Sequence, residues 1–154
     1  MKKFKIMILC IILSIANTAV SAQVSKVTAS DGEENDNFGK SVSISGNYLI
    51  VGADLDDDSG FYSGSAYLFK KEGNSWIEED KIIPQDCEAM DFFGEHVDIS
   101  GDYAIIGAIG DDDNGNYAGA GYIFHREGTN WIEQEKLLAF DGESRDYFGN
   151  DVAI

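Results

Sequence analysis

A chain of 154 residues with Lys+Arg 11 against Asp+Glu 28 carries a formal net charge of -17 and has the length of one domain. Its few, scattered basic residues exclude ordinary nucleic-acid binding, which needs clustered Lys and Arg, and an anionic membrane surface repels the same charge. Hydrophobic content of 44%, 17 glycines and a single proline describe a globular core joined by many tight turns.

Met1 to Ala22 begins with Lys2, Lys3 and Lys5, continues through an apolar run from Ile6 to Ala16, and ends in Asn17-Thr18-Ala19-Val20-Ser21-Ala22. The apolar run is about half the roughly 20 residues of a membrane helix, so residues 1–22 read as a secretory signal peptide. The expectation is a secreted or cell-surface protein with no membrane insertion after cleavage. Cys87 is then the one cysteine of the mature chain, which forms no internal disulfide. It reads as a buried small hydrophobe, the other reading being a pair with a second chain.

From here the pattern is β throughout. Val42 and Ile44 alternate with Ser41, Ser43 and Ser45, the period of a strand with one polar side. After a turn at Gly46-Asn47, Tyr48 to Val51 is a nearly continuous apolar run that suits an interior strand, and Gly52-Ala53 leaves room for close backbone approach. An acidic loop from Asp54 to Gly64 follows. A third strand over Ser65 to Lys70, a turn at Glu72-Gly73-Asn74 and a fourth strand from about Trp76 to Ile83 complete the unit.

The unit recurs. Phe38-Gly39, Phe93-Gly94 and Phe148-Gly149 are each separated by 55 residues, and at the same offset Gly52-Ala53 meets Gly107-Ala108, Asp56-Asp57-Asp58 meets Asp111-Asp112-Asp113, and Trp76-Ile77-Glu78 meets Trp131-Ile132-Glu133. Lys26-Val27 aligns with Lys81-Ile82 and Lys136-Leu137. Four short strands repeated without insertion is the arithmetic of a propeller blade, whose sheet needs a neighbour on each face. The expected fold is all-β: four-stranded antiparallel blades over residues 23–154, with blade 1 at about 36–90, blade 2 at about 91–145 and a third begun at 146. Two blades cannot close a ring, so the propeller is expected to be incomplete, its further blades coming from a longer chain or from other copies. Phe38, Phe93, Phe148, Trp76 and Trp131 are expected to pack between blades.

Phe-Gly opening each unit, with Gly-Ala about a dozen residues on, resembles the FG-GAP repeat of integrin α-subunit propellers and of many bacterial surface proteins. The resemblance implies a β-propeller with a binding or adhesion role toward an extracellular protein or cell-surface ligand, assisted in many members by calcium. The usual proline after Gly-Ala is replaced by Asp54 and Ile109. The calcium loop of the family is reduced to Ser45-Gly46-Asn47-Tyr48 and Ser100-Gly101-Asp102-Tyr103, too poor in carboxylates to make a cage.

The acids gather instead in the next loop. Asp54, Asp56, Asp57 and Asp58, with Asp111, Asp112 and Asp113, are the candidate metal ligands, because alternating carboxylates before a turn glycine supply part of a calcium set. Ile109 breaks that spacing in the second unit, and the other reading is a solvated acidic turn. Repeated adjacent aspartates repel one another unless a counter-ion lies near. In a four-stranded meander these loops share one end with Asp31 to Asp36, Asp86 to Asp91 and Asp141 to Asp146, giving a negative face suited to a cation or a basic protein partner.

His96 and His125 occupy no repeated position, and no phosphate loop, Cys/His cluster or nucleophile elbow is present in the sequence. The expectation is a non-catalytic module with no cofactor beyond calcium. The alternatives are a structural spacer that presents other domains, or a propeller attached to a hydrolase.

Overall fold

The computed structural model describes residues 25–154; the expected signal peptide lies outside them. Eight strands follow one another: β1 Val42–Ser45, β2 Tyr48–Ala53, β3 Ser65–Glu72, β4 Ser75–Ile82, β5 Phe93–Ser100, β6 Tyr103–Ala108, β7 Ala120–Glu127 and β8 Asn130–Leu138. They form two antiparallel sheets, ordered β1-β2-β3-β4 and β5-β6-β7-β8. The sequence period is also the structural one. Val51 pairs Tyr67 as Ile106 pairs Tyr122, and the outer pair of each sheet slips register at the same place, between Leu68 and Phe69 in one and Ile123 and Phe124 in the other. Among the described residues no helix is long and apolar enough to cross a membrane.

The main core lies between the sheets. Ile50, Ala66, Leu68 and Ile82 on one face of blade 1 meet Phe93, Val97, Ile99, Ile106, Tyr122, Phe124 and Trp131 of blade 2. A second cluster on the opposite face of blade 1 joins Leu49, Val51, Tyr67 and Phe69 to Val27, with Phe38 and Trp76 packed against it. Residues 25–30 lie on blade 1 as the segment after β4 lies on blade 2. The Ser30 amide donates to Glu78 at 2.8 Å, and the Gln85 amide donates to Glu133 at 3.1 Å.

The serine side of β1 is not turned to water. Ser41 Oγ donates to the Gly94 carbonyl at 2.9 Å, Ser43 Oγ donates to Asp98 at 2.6 Å, and Ser45 Oγ accepts from the Gly101 amide at 3.0 Å. Val42 and Ile44 are 45% and 40% exposed, whereas their counterparts Val97 and Ile99 are buried against blade 1. The alternation fixes which side is apolar, and the neighbouring sheet decides whether that side is covered.

Phe93 and Trp131 pack between the blades as expected; the Trp131 ring meets Tyr48 of blade 1 edge-on at 6.2 Å. Phe93 also stands against Tyr122 and Phe124 of its own blade, as Phe38 stands against Tyr67 and Phe69. Phe148 repeats the position on the far face of blade 2 and is 39% exposed. The two repeat glycines touch each other. A Cβ on Gly52 would lie 2.0 Å from the Gly94 carbonyl oxygen, and one on Gly94, whose φ is +92°, would lie 2.4 Å from the Ser65 carbonyl. The Gly-Ala of one blade and the Phe-Gly of the next are two halves of a single backbone contact.

Candidate functional site

The β2–β3 loops and the segments linking the blades emerge at the same end, and backbone hydrogen bonds zip them together. Met90, Phe92 and Phe93 amides donate to the Phe61, Tyr62 and Ser63 carbonyls at 2.9, 3.1 and 2.9 Å. One repeat later, Arg145, Tyr147 and Phe148 donate to Asn116, Tyr117 and Ala118 at 2.9, 3.1 and 2.7 Å.

The acidic loops close on lysine. Lys81, at the end of β4, places its Nζ 2.9 Å from Asp31, 3.0 Å from Asp56 and 2.6 Å from Asp58. Lys136, at the end of β8, does the same with Asp86, Asp111 and Asp113 at 2.8, 2.7 and 2.6 Å. The Tyr67 hydroxyl sits 2.9 Å from Asp31 and 2.8 Å from Asp56 and donates to one of them; Tyr122 stands likewise between Asp86 and Asp111. Ser65 Oγ and the Asp58 amide complete the donors to Asp56. Burial opposes charge on Lys81, but hydrogen bonds to Asp58, Asp31, Tyr67 and Asp56 outweigh it and raise its pKa above the ordinary lysine value. Burial likewise opposes charge on Asp56, and the bond from Lys81 leads the contacts that hold it below the ordinary carboxylate range. Each clasp ties the acidic loop, the preceding linker and the outer strand to one ammonium group.

The seven candidate ligands thus divide three ways. Asp56, Asp58, Asp111 and Asp113 belong to the clasps. Asp57 and Asp112 are exposed. Asp54 is buried elsewhere, accepting from Asn37 Nδ2 at 2.8 Å and lying 3.7 Å from Lys40, which itself sits 2.7 Å from Glu95 of blade 2. Among the described residues no three His, Cys, Asp or Glu side chains form a group that could hold a metal ion. Cys87 is half-buried with Sγ 3.8 Å from the Ser63 carbonyl, and burial pushes its thiol up to about 11.

Asp54 makes a pH prediction. Burial, then the neighbouring Glu95 carboxylate, push its pKa from 3.8 up to about 6. A carboxyl whose folded pKa lies above its unfolded value contributes stability that is full below the unfolded value and lost as pH rises through the folded one. Asp54→Asn is therefore expected to melt above the parent chain at pH 8, with the difference fading toward pH 5. Melting curves across that range check it. The counterpart of Asp54 is the uncharged Ile109, so the position carries a neutral side chain in the other blade.

A row of aromatic rings crosses the same end. Phe61 stacks on Tyr62 at 3.7 Å, and the row continues from Tyr62 to Phe92 at 6.1 Å, Phe92 to Tyr117 at 6.5 Å and Tyr117 to Tyr147 at 6.0 Å. Phe61 and Tyr147 are 58% and 40% exposed, and the rings between are half-buried. Tyr62, Phe92, Tyr117 and Tyr147 all have left-handed backbone, with φ of 56°, 55°, 57° and 53°. Bulky side chains seldom adopt that conformation, and the zipped hydrogen bonds hold it here. The sequence repeat does not display this row, because its members come from two alternating positions, one in the loop and one in the linker.

A sequence model described as the FG-GAP repeat matches residues 22–69, 76–124 and 131–154. The chain belongs to the FG-GAP repeat family. The second and third FG-GAP matches begin inside a fourth strand, and each of the first two holds the Phe-Gly and Gly-Ala of one blade, so the contact between Gly52 and Gly94 joins two consecutive matches. No curated protein matches the chain. Family and fold together make it a propeller-type interaction or structural module.

Proposed function

We propose that this FG-GAP chain is a secreted or cell-surface binding and adhesion module, non-catalytic, which takes a basic protein partner at the end where the acidic loops and linkers meet. The observation that carries the reading is the aromatic row set among exposed carboxylates: Asp57 and Asp112 in the loops, Glu88 and Glu143 in the linkers. Exposed charges of one sign steer an oppositely charged partner, and aromatic rings supply contact area at small entropic cost. Lys81 and Lys136 supply, in this proposal, part of the positive charge that the loops would otherwise ask of calcium. Asp57 and Asp112 stay free for a partner because they stand outside the clasps.

Adhesion of the labelled chain to cells or matrix, measured at low and high salt, tests the reading. Asp57→Asn with Asp112→Asn is expected to lower low-salt adhesion several-fold and to flatten its salt dependence. Adhesion unaffected by salt and by both substitutions would instead favour the spacer. That second reading draws on the uniformity of the clasps and glycine contacts, which are structural in both repeats.

A further inference from the structure

We infer that the aromatic row binds an extended basic segment carrying Lys or Arg at every second residue, one cationic side chain to each ring from Tyr62 to Tyr147. This deepens the binding reading above and rests on it. The spacing of the rings selects an extended segment. Alternate residues of an extended strand point the same way about 6.6 Å apart, and successive rings from Tyr62 through Phe92 and Tyr117 to Tyr147 stand 6.1, 6.5 and 6.0 Å apart. A helix presents side chains on one face at unequal steps and does not keep that register.

The charge around the rings selects a basic segment. The ring face attracts a cation through its quadrupole, and the loops and linkers that carry the rings are acidic at Asp57, Asp112, Glu88, Asp141 and Glu143, against the single basic Arg145. Each clasp sets three carboxylates against one lysine and stays net negative, so the clasps and the unclasped acids give the field around the row the same sign. The row is also rigid. The four left-handed residues are fixed by backbone bonds between loop and linker, so the rings need no reordering on binding.

The experiment uses the full chain and two labelled octapeptides of equal composition, one alternating Arg and Thr, the other with four Arg followed by four Thr, followed by fluorescence anisotropy at two salt concentrations. The alternating peptide is expected to bind at least tenfold more tightly. Phe92→Asn and Tyr117→Asn should each abolish that preference. Asparagine accepts the left-handed backbone, and it already stands at the Phe92 position in the first repeat as Asn37, so both variants should keep the melting temperature of the parent. Equal affinity for the two peptides with the same salt slope would overturn the spacing argument and leave the basic-partner reading standing. Binding of neither peptide would overturn both. Preference for a neutral oligosaccharide over either peptide would overturn the inference by making the row a sugar platform.

Discussion

Lys81→Met is expected to destabilise the chain by about 3 kcal/mol, the low end of the cost of stranding one member of a buried ion pair. Of the three carboxylates that Lys81 meets, Asp56 has a side chain only 3% exposed, while Asp31 and Asp58 are 44% and 56% exposed. The two exposed acids regain water when the ammonium is lost, so their share is small. Asp56 cannot, and its remaining donors, Ser65, the Asp58 amide and Tyr67, satisfy its oxygens without cancelling its charge. Adding Asp56→Asn to Lys81→Met should recover part of the loss, since it removes the stranded charge itself. The pH dependence follows from the depressed pKa of Asp56: the stabilisation is full above the unfolded carboxylate value and lost as pH falls through the folded one. The gap between variant and parent should accordingly close in strong acid. Urea unfolding at pH 7 and in acid measures both effects.

Gly52→Ala is expected to cost about 3 kcal/mol, through overpacking rather than through lost charge. The new methyl would stand 2.0 Å from the Gly94 oxygen and 2.6 Å from Ser41 Oγ. The serine can rotate away, but the Gly94 carbonyl belongs to the backbone of β5 and can yield only if blade 2 moves. That movement would open the core in which Phe93 and Ile106 lie wholly buried. Gly46→Ala is the control. It has nothing within 4 Å, and its φ of +59° should make it cost about 1 kcal/mol, the ordinary price of a side chain in a left-handed turn. Thermal melts of the two variants separate packing from conformation.

The all-β repeat was legible because each local signal agreed with the next. Alternation over Ser41 to Ser45, the apolar run of Tyr48 to Val51 and the turns all recur at one offset, and the strands fall where those signals place them. Phe-Gly and Gly-Ala were legible as a family mark, and the backbone contact between Gly52 and Gly94 gives that mark its physical cause. The acidic loops were legible as a cluster in need of positive charge. The source of that charge was missed, although Lys26, Lys81 and Lys136 recur at the aspartates' own period. A lysine at the end of an outer strand reads as a solvated residue until the pairing of β3 with β4 sets Lys81 opposite Tyr67. Proximity in sequence groups Asp54 with Asp56 and Asp58. The chain turns after Ala53 and sends Asp54 toward Asn37 and Lys40 instead. The aromatic row depends on loops from one repeat zipping to linkers of the next, a relation that linear spacing does not display.

We propose that lysine ammonium groups, rather than a bound ion, hold the acidic loops in place and leave the rest of that end to a partner. Thermal melts of the chain in calcium and in chelator, beside a Lys81→Met and Lys136→Met double variant, test it most directly. One melting temperature is expected for the parent chain in both solutions, and a much lower one for the double variant. A parent chain whose melting temperature rises with calcium would contradict it, because the loops would then be holding an ion.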